Sequence, residues 1–185
     1  MREGDVYDTL RRLARRLEQE RFDYVVVGGI ALVEHGYRRA TEDIDLVMRP
    51  ETLEAFRERC VGRGYLPAFE GARKSFRDTE SGVRIEILTT GSYPGDGKLK
   101  PVAFPDPTER VIVGQEFRYV SLETLIELKL ASGLSAPHRA RDIVDVQDLI
   151  QHAKLPRELA LRLDPSVRDE YTRLWEIVQT IPPPE

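Results

Sequence analysis

The feature that most constrains this chain is the run Phe22-Asp23-Tyr24-Val25-Val26-Val27, which stops at Gly28-Gly29. A β-branched run of this kind reads as a buried strand, and paired glycines directly behind it predict a tight turn into a helix. Ile30 to His35 fits that short helix, with Gly36 closing it. Thirteen residues separate the glycine pair from Asp43, and Ile44 to Met48 predicts a second strand, ended by Pro50. Strands alternating with helices over so short a stretch exclude an all-helical or all-β fold and predict a small mixed sheet flanked by helices.

The remaining pattern agrees with that class. Val6, Leu10, Leu13, Ala14 and Leu17 recur at helical spacing, with Arg11, Arg12, Arg15 and Arg16 mostly on the other side. Glu51 to Arg63 predicts a helix with Leu53, Phe56 and Cys60 inward and Gly64 just beyond. Lys74–Asp78 and Val83–Thr89 predict strands joined at Ser81-Gly82. Gly91 to Gly97 reads as a surface loop, and Val111–Val113 and Phe117–Val120 as short edge strands around Gly114. Ser121 is placed to cap a helix through Leu130 that breaks at Gly133–Pro137; a second helix follows from Arg139 to His152. Asp164-Pro165 opens a last helix holding Tyr171, Leu174, Trp175 and Val178, whose spacing suits a core stripe, and Pro182-Pro183-Pro184 ends the fold. The expected division is an α/β core over 1–120 and a helical segment over 121–185 packed on it as one compact domain.

Composition narrows the function classes. The 185 residues carry 28 Lys and Arg against 32 Asp and Glu, a net charge of -4, which argues against a bulk electrostatic grip on nucleic acid or anionic membrane. One cysteine, Cys60, excludes an internal disulfide and a cysteine zinc cluster, and three histidines without HExxH spacing argue against zinc. Arg2, Glu3 and Asp5 with no apolar core behind them predict no signal peptide, and no apolar run approaches the roughly 18 residues of a membrane span. The expected location is cytoplasmic.

Three places carry chemistry. Gly28-Gly29 at a strand–helix junction allows a ligand close to the backbone and suits phosphate, although a plain turn explains it equally; GxGxxG and P-loop spacings are missing. On a strand, Asp43 and Asp45 share one face with Cα atoms roughly 6.6 Å apart, while Ile44 and Leu46 face the core. Paired carboxylates invite a divalent cation, Mg²⁺ or Mn²⁺ for oxygen ligands; the alternative is a water-facing edge. In Arg84-Ile85-Glu86-Ile87-Leu88 a single acid sits among apolar residues, so an arginine or a metal should neutralise Glu86.

These residues resemble a known family. Gly28-Gly29, Asp43-Ile44-Asp45 and the later acid-bearing strand are similar to the nucleotidyltransferase superfamily pattern, and Gly28 to Gly36 with Arg39 to Leu46 resembles the AbiEii-type nucleotidyltransferases. Glu127-Leu128-Lys129-Leu130 and Arg139 to Asp145 look like that group's lysine and Arg-Asp-x-x-Asp segments. Two departures stand out: Gly28-Gly29 replaces a commoner Gly-Ser, and Glu86 stands where Asp is commoner.

The resemblance implies a metal-dependent enzyme that moves a nucleoside monophosphate from an NTP to a hydroxyl. It implies Asp43, Asp45 and Glu86 as ligands of Mg²⁺ or Mn²⁺, with Gly28, Gly29, Arg39, Thr41 and Lys129 toward the nucleotide. Lys129 is otherwise an exposed helical lysine; Asp142 and Asp145, three apart on one helix face, are placed to brace Arg39, Arg141 or Lys129. The acceptor stays open between a tRNA end, a protein hydroxyl and a small aminoglycoside-like molecule. An antitoxin partner is implied for a toxin–antitoxin or phage-defence role; small-molecule adenylylation of the antibiotic-inactivating type, and a nucleotide- or partner-binding module without catalysis, are the two other classes.

Overall fold

The structure is a computed structural model that describes residues 3–180; Arg2 and the Pro182-Pro183-Pro184 tail lie outside the described residues. In chain order the elements are α1 (Glu3–Gln19), β1 (Val25–Val26), α2 (Gly28–Glu34), β2 (Asp43–Met48), α3 (Pro50–Cys60), β3 (Tyr65–Pro67), β4 (Ser75–Asp78) and β5 (Arg84–Thr89). They continue with β6 (Val111–Val113), β7 (Arg118–Val120), α4 (Leu122–Ser135), α5 (Ala140–His152) and α6 (Pro165–Thr180), with 3-10 turns at Pro137–Arg139 and Arg157–Arg162. The class is the mixed α/β one that the alternation predicted. Two compact units share the chain: residues 1–31, 39–91 and 104–120 form one, and residues 32–38, 92–103 and 121–185 the other.

The first unit holds a seven-stranded sheet in the order β3-β4-β5-β2-β1-β7-β6. β2 runs parallel to β5 and β1 parallel to β7; the other neighbours are antiparallel. Ile44, Leu46 and Met48 of β2 and Ile85 and Ile87 of β5 turn to one side, where they meet Leu10, Leu13 and Leu17 of α1 and Phe56 and Cys60 of α3. This is the apolar stripe read from both helices, and it makes one face of the sheet the core. Cys60 is fully enclosed there, and burial pushes its thiol pKa up, so it is a core residue without nucleophilic character. The β4–β5 turn is held by Asp78, whose Oδ1 accepts from the Ser81 amide at 2.8 Å and from Arg12 of α1 at 3.0 Å.

Several boundaries differ from the sequence reading, each for a local reason. The first strand is two residues long, and α2 starts at Gly28 itself, so the glycine pair forms the first turn of the helix. Pro50 opens α3, as proline's fixed φ suits a first helical turn. That helix ends at Cys60, where Val61 turns extended with φ of -67° and ψ of 133°, and Gly62 beyond it takes a positive φ of 76°. β3 was missed: a three-residue strand containing Pro67 carries no periodicity, and proline is tolerated there because the strand lies at the sheet edge. Of the two short strands expected at the edge, β6 lies there, at the opposite end from β3, and β7 is internal, between β1 and β6.

The second unit is built on α4, α5 and α6. Ser121 caps α4, accepting from the Thr124 amide at 3.4 Å. The helix runs on through Gly133, where the sequence suggested a break: a Cβ there would lie 2.6 Å from the Ile143 side chain, so this glycine admits α5 to close packing. Tyr171 and Leu174 of α6 are buried, whereas Trp175 is half-buried and donates through its indole N–H to the Leu155 carbonyl at 3.0 Å. The loop around Gly95 is tied to α4 by the Asp96 amide, which donates to Ser135 Oγ at 3.1 Å.

At the end of β2, Arg49 grips Asp106 through Nε at 2.7 Å and Asp23 at 2.9 Å. The hydrogen bonds from Arg49, then those from Thr108, hold the Asp106 carboxyl well below the usual carboxylate range. Its pairing therefore stabilises the fold above about pH 4 and fades as pH falls toward the depressed value. Asp106→Asn should lower Tm at pH 7, and the gap to the unmodified protein should narrow in melts at pH 3.

Candidate active site

The full six-residue ladder between β2 and β5 pairs Asp43 with Arg84 and Asp45 with Glu86. Facing residues in paired strands point the same way, so all four side chains stand on the face opposite the core. β4 extends this face, with Ser75 opposite Glu86 and Arg77 opposite Arg84. Asp43, Asp45 and Glu86 are each half-buried. Glu86 has a partner on its own strand: Arg84 Nη2 donates to Glu86 Oε2 at 2.9 Å, and Arg84 Nε donates to Ser75 Oγ at 3.0 Å. Sequence alone named an arginine or a metal as the neutraliser of Glu86, and the arginine present is Arg84. Ser75 and Arg84 were not singled out, because their role depends on strand register and carries no motif.

The glycine pair lies against this face. Gly28 has φ of 66°, and a Cβ there would overlap Asp45 Oδ2. A Cβ on Gly29 would lie 2.7 Å from Thr41 Oγ1. Any larger residue at either position would displace these side chains, so the pair brings the α2 backbone directly onto Asp45 and Thr41. The Val27 amide donates to the Asp45 carbonyl at 2.9 Å, and Thr41 Oγ1 donates to the Asp43 carbonyl at 3.3 Å. Arg39, two residues before Thr41, is half-buried. Gly28, Gly29, Thr41, Asp43, Asp45 and Glu86 thus share one region of the first unit.

Among the described residues no three His, Cys, Asp or Glu side chains converge closely enough to form a metal cage by themselves. The donor set still suits a hard cation. Mg²⁺ is commonly held by one or two carboxylates, with waters and substrate phosphates completing its shell, and Asp43 and Asp45 supply two on one strand face.

Lys129 belongs to the second unit and is buried, which removes the exposed-lysine alternative. Its ammonium donates to Asp142 Oδ1 at 2.9 Å and to Asp145 Oδ2 at 2.7 Å. Ser132 Oγ, one turn along α4, donates to the other Asp142 oxygen at 2.6 Å. Lys129 makes close contacts with both aspartates, and Arg141 reaches Asp145 at 3.8 Å. The Asp145 side chain is 1% exposed, so removing Lys129 takes a close cationic partner from a charge held in the interior. Lys129→Ala should therefore destabilise by about 3–5 kcal/mol in urea unfolding. Asp142→Asn should cost less, because the Asp142 side chain is 19% exposed.

Comparison with known proteins adds the family. Among the described residues, no helix is long and apolar enough to cross a membrane. Three solved structures share the fold. A candidate nucleotidyltransferase from Thermotoga maritima matches with TM-score 0.51 and 19% identity, over 75% of this chain and 92% of that one. An antigenic nucleotidyltransferase-like protein from Paracoccidioides brasiliensis matches with TM-score 0.51 and 15% identity, over 89% and 90% of the two chains. A candidate nucleotidyltransferase from H. pylori matches with TM-score 0.50 and 15% identity, over 93% and 92%. No curated protein matches the chain. The family model for the nucleotidyl transferase AbiEii toxin of type IV toxin–antitoxin systems matches residues 8–179, and with the glycine pair set against Asp45 and with Asp43 and Asp45 on one strand face, the chain belongs to that family.

Proposed function

We propose that the protein transfers a nucleoside monophosphate from an NTP to a hydroxyl acceptor, and does so as the toxin of a cytoplasmic toxin–antitoxin pair. The observation that carries this reading is the seating of the Asp45 carboxylate against Gly28, closer than any side chain at that position would permit. The bare backbone at Gly28 lets this half-buried acid stand at the start of α2, where it can hold the cation that accompanies a phosphate chain.

Each residue then has a role. Asp43 and Asp45 would hold Mg²⁺ or Mn²⁺, with Glu86 as the third acid. The metal, when bound, offsets charge on the triphosphate and on the departing pyrophosphate. Gly28 and Gly29 admit the phosphates to the backbone, and Arg39 and Thr41 contact the nucleotide. The acceptor oxygen attacks the α-phosphorus as the bond to the β-phosphate bridging oxygen breaks; that oxygen leaves with the electron pair as part of pyrophosphate. Glu86 takes the acceptor's proton, a contribution of about 10²–10⁴-fold for a placed general base. Lys129 has three N–H donors, and Asp142 and Asp145 orient two of them. The resemblance assigns Lys129 to the nucleotide, with Asp142 and Asp145 as supporting residues. The family's toxin–antitoxin character supports an antitoxin as the protein partner.

The test is incubation with each labelled NTP, Mg²⁺ or Mn²⁺ and a cell extract, followed by separation of RNA, protein and small molecules. Label should enter one acceptor class. Asp45→Asn keeps the volume beside Gly28 and removes the charge, so it should cut labelling by at least about a hundredfold, the scale of losing one electrostatic partner of a charged transition state. Its circular dichroism spectrum should not change. Full labelling by Asp45→Asn would remove Asp45 from the site. No labelling, together with no thermal shift for any NTP plus metal, would leave a binding module in place of an enzyme.

A further inference from the structure

We infer that Arg84 is a built-in counter-ion that competes with the divalent cation for Glu86, and that it must turn away from Glu86 before this acid can serve the metal. This rests on the reading of Asp43, Asp45 and Glu86 as the acidic group of the site. Four observations carry it.

First, the β2–β5 register sets Asp45 directly beside Glu86 and Asp43 directly beside Arg84, so three acids and one guanidinium occupy adjacent positions on one sheet face. Like charges at neighbouring positions repel, and a cation among them offsets that repulsion. Second, Arg84 spends that charge in one direction. It donates to Glu86 at 2.9 Å and is braced by Ser75 Oγ at 3.0 Å, and Ser75 is itself 4% exposed on β4. Third, no three acids converge among the described residues, as follows when one of them is drawn along its own strand by an arginine. Fourth, the Arg84 side chain is 44% exposed, so it can swing without opening the core.

An arriving triphosphate gives the guanidinium a better anion, since phosphate oxygens match its planar fork. Arg84 then leaves Glu86 as the nucleotide enters. The consequence is weak binding of a bare divalent ion and recruitment of metal with the nucleotide. Arg77 is the natural control. It stands opposite Arg84 on β4, carries the same charge, and donates to the Gly82 carbonyl at 3.1 Å.

The test is titration of Mn²⁺ alone, without nucleotide, into the full chain, with free Mn²⁺ read by electron paramagnetic resonance. R84Q should bind Mn²⁺ about three- to thirty-fold more tightly than the unmodified protein, the range expected from removing one nearby cation. R84K should fall between them, and R77Q should match the unmodified protein. The gain should vanish in R84Q/E86Q measured against E86Q. Unchanged or weaker binding by R84Q would overturn the inference. So would an equal gain from R77Q, or a gain that survives in the E86Q background, since either would mark a general charge effect. Asp45→Asn in the same titration separates the two levels of the reading. If it binds Mn²⁺ as the unmodified protein does, the metal site itself is misplaced and both fail. If it loses Mn²⁺ while R84Q shows no gain, only the role of Arg84 fails.

Discussion

The parallel ladder between β2 and β5 is the constraint on which the rest of this structure depends. Six consecutive residues of each strand pair without a bulge, from Asp43 with Arg84 to Met48 with Thr89. A slip of one residue would turn the shifted strand over, moving Ile44 and Leu46 of β2, or Ile85 and Ile87 of β5, out of the core and burying Asp45 or Glu86 in their place. The apolar side of the ladder, closed by α1 and α3, therefore determines which side chains the opposite side can present. Hydrophobic burial fixes the register, and the register gathers the acids.

The same ladder explains why small residues stand at the head of α2. The Asp45 side chain occupies the space that a Cβ on Gly28 would need, and Thr41 does the same at Gly29. Strand, glycine pair and acids are thus one steric arrangement rather than separate motifs. A serine in place of Gly29 would need Thr41 to move, which gives a physical reason for the departure from the commoner Gly-Ser pairing.

Much of this was legible in the residues, and the exceptions have identifiable causes. Asp43 and Asp45 sharing a face follows from the two-residue period of a strand, and the helical stripes of α1 and α3 follow from their 3.6-residue period. β3 escaped notice because Tyr65-Leu66-Pro67 is too short to show a pattern. Gly133 looked like a helix end, yet the close approach of Ile143 makes it an interior packing residue. The burial of Lys129 was open in the sequence, since a lysine on an apolar helix is equally consistent with a wet surface and with an enclosed ion pair. Arg84 and Ser75 could be recognised only once three strands were set side by side.

The way the chain is threaded has its own consequence. Residues 32–38 and 92–103 group with 121–185, whereas the stretches around them group with the amino-terminal part. Tyr37 donates to Asp148 at 2.6 Å, and Asp96 meets Ser135, so two early segments find their permanent partners only in helices made much later. On a ribosome those early segments emerge long before α4 and α5 exist, and they must wait. Neither unit can be excised as an uninterrupted stretch, and a nascent chain stopped before residue 121 would carry both segments with their hydrogen-bonding groups facing water.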